Sequence, residues 1–140
     1  MNDATPFDPT ADGWKSRTFE GFFGLVGPLW TKKEGEGWAY GFLAEPRHAN
    51  GAGVVHGGML ATMLDHALSI VGWEAQGRKR CVTIQLDTHF IAAVKPGQFV
   101  EARGRIVKST KSLVFVQGSL SVGGEEVAIA TAVLKVLATP

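Results

Sequence analysis

The stretch that decides the fold is the run HGGMLATMLDHALSIVGW, from His56 to Trp73. From Gly58 onward it contains no proline and few β-branched residues, which predicts a single helix that is apolar over most of its surface. The polar residues share one face of this helix, because they are spaced at i, i+3, i+4 and i+7. They are Thr62, Asp65, His66 and Ser69.

Two glycines begin the predicted helix, and the start of such a helix is suited to bind negative charge. The first N–H groups of a helix have no partner inside it and carry the positive end of its dipole, so they would stabilise a developing oxyanion. The alternative is an ordinary solvated face, with Asp65 as surface charge and the glycines as a simple loop-to-helix entry. Because the rest of the chain supplies many strands around one helix, we expect Asp65 to be shielded from bulk water.

Length and composition indicate one ordinary globular domain. The chain has 140 residues, of which 45% are hydrophobic and 19% charged, and a formal charge of +1. This balance predicts neither a nucleic-acid nor a membrane partner. The single cysteine, Cys81, excludes an intramolecular disulfide, and no run reaches the ~20 apolar residues of a membrane span, so we expect a cytoplasmic protein. Residues 1–17 are expected to be a flexible N-terminal segment, and residues 18–140 a single domain.

The remaining elements form a simple order along the chain. A short helix is predicted at 18–25, followed by a hairpin of Leu29–Lys33 and Trp38–Leu43 around a turn at 34–37, and a loop at 47–55 that leads to the long helix. Four strands follow, at about 81–94, 98–108, 112–122 and 125–137. We therefore predict an α+β domain in which four meandering antiparallel strands follow the helix, with the helix against one face of the sheet.

These residues together resemble a known family. The pattern of Asn50, His56-Gly57-Gly58, Asp65 and Val82-Thr83-Ile84, followed by the closing strands, is similar to the hotdog-fold acyl-CoA thioesterases of the phenylacetate-pathway (PaaI) type, from about residue 19 to 137. The resemblance implies a hotdog fold, an antiparallel sheet wrapped round one long central helix. It also implies a homodimer with joined sheets, often paired into a tetramer, which hydrolyses acyl-CoA to free acid and CoA without metal or other cofactor.

The resemblance further assigns roles to individual residues. Gly57 would supply an oxyanion amide, and Asp65 would be the nucleophile or the general base. Asn50 and His56 would hold the thioester, and Thr83 stands where relatives often have a serine that assists the attacking water. The expected substrate contacts are Gly58, Thr62, His66, Lys108 and Lys111. For the two lysines, and for the basic run Arg78-Lys79-Arg80, two interpretations stay open: solvated turn residues or partners of the CoA phosphates.

Helix geometry adds an inference that does not depend on the family. Asp65 lies eight residues past Gly57, which separates the two by about 12 Å along one helix. A carbonyl held about 3 Å from the Gly57 amide is out of reach of the same helix's carboxylate. We therefore predict composite sites, two per dimer, in which Asp65 of one chain meets Gly57 of the other.

Several alternatives stay open. The four histidines lack metal-ligand spacing, so no metal site is expected. Trp73, Met63 and Phe90 are assigned to the core, although each could line an acyl pocket. A noncatalytic acyl-CoA sensor on the same fold is the alternative function. The sequence does not distinguish an aromatic from an aliphatic acyl group, attack by Asp65 from activation of water, or a dimer from a tetramer.

Overall fold

Residues 6–138 are described by a computed structural model. They form one antiparallel sheet and one long helix. The elements are β1 (Lys15–Arg17), α1 (Phe22–Val26), β2 (Leu29–Glu34), β3 (Gly37–Leu43), α2 (Gly57–Ala75), β4 (Cys81–Phe90), β5 (Phe99–Ser109), β6 (Leu113–Val122) and β7 (Glu125–Val136), with short 3₁₀ turns at Thr10–Asp12 and Pro46–His48. The predicted α+β hotdog class is confirmed. Within residues 6–138, no helix is both long enough and apolar enough to cross a membrane.

The order of strands corrects the predicted meander. The seven strands lie in the order β1-β2-β3-β5-β6-β7-β4. All four predicted strands after the helix are present, but β4 does not lie beside β5. Instead β3 pairs with β5, and α2 carries the chain across the sheet, so that β4 pairs with β7 at the opposite edge. A helix of this length makes the crossover possible, and β4 is left as an edge strand.

The helix packs closely because the strands beneath it carry glycine. Its buried residues include Met63, Leu64 and Leu68. A Cβ on Gly104 would come within 2.6 Å of the Leu68 side chain, and one on Gly118 within 2.4 Å. At these two positions the strands therefore lie too close to the helix for a side chain.

The end of the N-terminal segment belongs to the fold, contrary to the expectation that residues 1–17 are flexible. Lys15–Arg17 pair with β2, and Trp14 is only 2% exposed, packed with Ala39 and Phe99 on the sheet face away from α2. The burial of a large aromatic side chain explains why this part is ordered. Residues 1–5 lie outside the described part of the chain. The predicted short helix is also displaced, since it begins only after Gly21, whose φ of 80° suits glycine.

Candidate active site

The loop before α2 is shaped by Asn50. Its Oδ1 accepts hydrogen bonds from the backbone N–H of Ala52 at 2.9 Å and of Val54 at 3.3 Å. The next residues return toward the sheet, where the N–H of His56 donates to the carbonyl of His48 at 2.8 Å. The side-chain oxygen of Asn50 is thus occupied by its own loop, and its position sets the path of the chain into the helix.

The start of α2 presents one free amide. The Nδ1 atom of His56 accepts the Gly58 N–H at 2.8 Å. The neighbouring Gly57 N–H finds no acceptor within residues 6–138. Of the two glycine amides named from the sequence, Gly58 therefore serves the cap and Gly57 remains available. Thr62 is also occupied locally, because its hydroxyl donates to the Gly58 carbonyl at 2.8 Å.

An apolar cavity of about 380 Å³ lies beside Gly57. Leu60, Phe90 and the segment 91–94 contribute to its wall. Phe90 is 55% exposed, so its assignment to the core is wrong. Its ring instead lies 3.4–3.7 Å from the point where a Cβ on Gly57 would sit. Gly57 thus borders a space that suits an apolar group.

Asp65 is held by a chain of hydroxyl groups. Thr83 Oγ1 donates to Asp65 Oδ1 at 2.6 Å, and Ser69 Oγ lies 3.2 Å from Thr83 Oγ1. Since the Thr83 proton points to the carboxylate, Ser69 is the donor to Thr83. The arrangement joins two helix residues to the edge strand β4 and orients a half-buried carboxylate.

The structure does not bring Asp65 and Gly57 of one chain together. Both lie in the uninterrupted helix Gly57–Ala75, so their eight-residue separation corresponds to about 12 Å. Asp65 faces the edge strand through Thr83, whereas Gly57 lies at the helix start. Within one chain, the oxyanion donor and the carboxylate remain two half-sites.

His66 lies against the short helix α1. Its ring stacks on Phe23 with centroids 4.3 Å apart and meets the edge of Phe19 at 5.6 Å. Burial lowers the pKa of His66, with the Asp65 charge acting in the opposite direction. The Nε2 atom is buried and has no hydrogen-bond partner within residues 6–138. Another part of His66 borders a cavity of about 310 Å³ with Ser69 and Trp73.

Lys108 and Lys111 lie far from both half-sites of their own chain. Both are exposed, at the end of β5 and in the following turn. The side-chain amide of Gln76, just past α2, donates to Ser109 Oγ and to the Thr110 carbonyl. The two lysines therefore belong to the C-terminal end of α2, opposite Gly57.

The site assignment from the sequence did not include two features that the structure shows. Ser69 lies on the predicted polar stripe, and this spacing was the signal that placed it on the same helix face as Asp65. A cavity of about 600 Å³ lies on the sheet face away from α2 and includes His89, Arg103 and Arg105. None of the predicted catalytic residues borders that cavity.

Within residues 6–138, no cluster of three histidine, cysteine or acidic side chains is placed to hold a metal ion.

Comparisons with known proteins identify the family and the fold. The family model described as "Thioesterase superfamily" matches residues 52–129. The Pseudomonas aeruginosa protein named "Putative esterase PA0474" is 26% identical over 111 residues, covering 78% of this chain and 83% of that protein. Zebra fish thioesterase superfamily member 2 has a similar fold, with a TM-score of 0.77 and 20% identity over 85% of this chain and 88% of that one. The BH2602 protein from Bacillus halodurans, solved with CoA, gives 0.66 and 28% over 70% of each.

Proposed function

Because the chain belongs to the thioesterase superfamily, we propose that it is a hydrolase that cleaves acyl-CoA thioesters to free acid and CoA. Membership supports thioester hydrolysis in general, and the matched region includes Gly57, Asp65 and Thr83. CoA as the carrier is supported by BH2602, whose structure was solved with CoA. We also propose that residues 18–140, together with Trp14 and β1, are the hydrolase domain.

The observation that carries this proposal is that one chain presents both a free amide, at Gly57, and an oriented carboxylate, at Asp65. The Gly57 N–H would donate to the thioester carbonyl and to the oxyanion that forms from it. Thr83 and Ser69 hold Asp65 in one orientation. Preorganised donors of this kind contribute strongly to acyl transfer, since they cost no reorganisation at the moment of reaction.

A second chain would complete each site. Within residues 6–138, the edge strand β4 has one side free of any other strand, and its Val82 and Ile84 are 44% and 56% exposed. Pairing of two β4 strands about a two-fold axis would place the α2 helices side by side and antiparallel. Asp65 of one chain would then approach Gly57 of the other, so the separation of about 12 Å between these residues along one helix no longer prevents them from acting together.

Two balanced routes lead to the products. Asp65 can attack the acyl carbon, so that the C–S bond breaks, CoA leaves as thiolate and a mixed anhydride is hydrolysed by water. Alternatively, Asp65 takes a proton from a water molecule that attacks the same carbon. In either route Thr83 holds the carboxylate or the water. Asn50 and His56 position the thioester, and Gly58, Thr62 and His66 line its path.

Asp65→Ala tests the catalytic assignment. We expect the variant to lose about 10²–10⁴-fold in kcat, the range for a positioned base, in a thiol-release assay over a panel of acyl-CoA esters. Asp87→Ala, on the outer side of β4, is the matched control and should retain activity. Tight acyl-CoA binding without hydrolysis in wild type, unchanged by Asp65→Ala, would support the sensor instead.

The Gly57 amide can be removed with little effect on the helix. Proline is well tolerated at the first helical position, and His56, at φ −59° and ψ 135°, has the extended backbone that proline requires before it. Gly57→Pro should therefore lower kcat by about 10²–10³-fold with the melting temperature preserved. Gly57→Ala keeps the N–H and is the control. Equal kcat values for the two folded variants would rule out this oxyanion donor.

A further inference from the structure

The short helix α1 leaves large apolar side chains at the surface. Phe19 lies in the turn before it, and Phe22 and Leu25 lie on the helix itself. All three are exposed, Phe22 by 63%. Phe23 is buried in the core, so it anchors the helix while its neighbours face outward. Several large apolar side chains exposed together usually mark a binding surface.

Side chains of the 3₁₀ turn before α2 hold α1 in place. Arg47 donates hydrogen bonds to the carbonyl oxygens of Leu25 and Gly27. His48 Nε2 lies 2.7 Å from the carbonyl oxygen of Val26. Three consecutive carbonyl groups at the end of α1 thus have side-chain partners, which fix the position from which the exposed residues are presented.

The exposed aromatic residues lie next to the carboxylate half of the site. The ring of Phe19 meets the His66 ring edge-on at 5.6 Å, and Phe23 stacks on the same ring at 4.3 Å. His66 directly follows Asp65 on α2. This part of α1 therefore lies at the level of Asp65, about 12 Å along the helix from Gly57 of the same chain.

A second apolar surface lies beside the Gly57 half of the site. The cavity of about 380 Å³ there is lined only by glycine and apolar residues, and Phe90 and Ile91 on its wall are more than half exposed. A charged acyl group would find no partner side chain in this cavity, so its burial would be costly. The cavity therefore suits a hydrocarbon group, but its exposed wall leaves that group partly in water.

We propose that Phe19 and Phe22 of one chain cover the acyl group bound at the partner's Gly57, and that the substrates are thioesters of uncharged, apolar acyl groups. This inference rests on the proposed function. In the proposed dimer Asp65 approaches the partner's Gly57, so the α1 that packs on His66 is brought to the partner's cavity. One chain then provides the oxyanion amide and the floor of the acyl pocket. The other provides the carboxylate and the aromatic cover.

Acyl selectivity tests the substrate class. The panel is acetyl-CoA, hexanoyl-CoA, benzoyl-CoA and succinyl-CoA, and the faster of the hexanoyl and benzoyl esters is called the apolar substrate. Its kcat/KM with wild type should be at least about tenfold above those of acetyl-CoA and succinyl-CoA, because acetyl has little apolar surface to bury and succinyl carries a charge. Equal values, or a preference for acetyl-CoA or succinyl-CoA, would overturn the substrate class. No hydrolysis of any ester by wild type would instead overturn the proposed function.

Replacement of Phe22 tests the aromatic cover. Phe22→Ser should stay folded, because the side chain is exposed in the single chain, and should lower kcat/KM for the apolar substrate about tenfold through lost apolar contact. The value for acetyl-CoA should be nearly unchanged. Trp38→Ser is the control, since Trp38 is an exposed aromatic residue on β3, which three strands separate from β4. An unchanged ratio of the two kcat/KM values in Phe22→Ser would overturn the assignment.

Mixed dimers test which chain provides the cover. With Asp65→Ala in one chain and Phe22→Ser in the other, the only site that has a carboxylate takes its α1 from the Phe22→Ser chain. The preference for the apolar substrate over acetyl-CoA should then be lost. With both changes in one chain and wild type as the other, the only such site takes its α1 from wild type, and the preference should persist. The reverse pattern would show that Phe22 covers the Gly57 of its own chain and would overturn the proposal.

Discussion

His66 shows how a single residue can oppose stability at low pH. Its ring is packed between α2 and the aromatic side chains of Phe19 and Phe23, and its Nε2 atom is buried. Burial lowers its pKa from the ordinary value of 6.5. The unfolded chain therefore takes up a proton at a higher pH than the folded chain, so stability falls as the pH drops from the unfolded to the folded pKa and stays reduced below it.

We predict that His66→Phe gains stability relative to wild type as the pH falls. The variant keeps an aromatic ring against Phe23 but has no group to titrate, so it avoids the loss that wild type suffers as pH drops below about 6.5 and through the folded pKa. Urea unfolding of both proteins at about pH 7.5 and about pH 5 measures the effect. The same difference in unfolding free energy at both values would contradict this account.

Residue patterns predicted some contacts and not others. The spacing of the polar stripe placed Asp65 and Ser69 on one face because helical periodicity is local. Thr83 lies 18 positions from Asp65, and only the family resemblance pointed to it. The loss of the Gly58 amide to His56 depends on a rotamer, which no spacing encodes. The roles assigned to the site residues remain predictions.

At the scale of elements, the contact between α2 and the sheet depends on missing side chains. A Cβ on Gly118 would lie 2.4 Å from Leu68 Cδ2 and 2.7 Å from the Arg103 carbonyl oxygen. The side chain of Leu68 can shift, but the backbone oxygen is held in the β5–β6 ladder. The strand therefore has no room for even a methyl group at this position.

Gly118→Ala should destabilise the fold by about 1–3 kcal/mol, the usual cost of overpacking. Gly37→Ala is the matched control on another strand, since its added Cβ would meet only the Glu34 carbonyl at 3.7 Å, and we expect a change within about 0.5 kcal/mol. Chemical denaturation measures both. Similar stabilities for the two variants would show that the helix shifts freely over the sheet.

Element type was readable from the sequence, whereas element pairing was not. The long helix and the strands follow from apolar periodicity, which is encoded locally. The placement of β4 beside β7 depends on where α2 carries the chain. The strand β1 is only three residues long, so its pairing depends on the burial of Trp14 nearby rather than on a strand pattern of its own.

At the scale of the whole molecule, the proposed site requires two chains. The edge strand β4 exposes Val82 and Ile84, and Ile84 sits at an irregularity in the pairing with β7. Exposed apolar edges are usually protected by charge or covered by a partner. Dimerisation through β4 would cover these residues and join the two half-sites in one step.

Ile84→Glu should convert the proposed dimer to a monomer and abolish hydrolysis, because it would place a charge where the two β4 strands are proposed to join. Sedimentation velocity reports the assembly state, and thiol release reports activity on the same sample. Val107→Glu changes a residue that is similarly exposed, at 50%, on β5 away from the edge, and should remain dimeric and active. Full activity in a monomeric Ile84→Glu protein would refute the composite site.

The two edges of the sheet differ, and this difference limits growth. At one edge, β1 is short, fully exposed and carries Lys15 and Arg17, features that discourage further strand addition. At the other, β4 is ten residues long and exposes the apolar side chains of Val82 and Ile84. A chain in which both sheet edges could pair with another strand would polymerise into a filament. A chain with only one such edge can pair with a single copy of itself. The basic edge strand β1 thus prevents the sheet from extending beyond two chains.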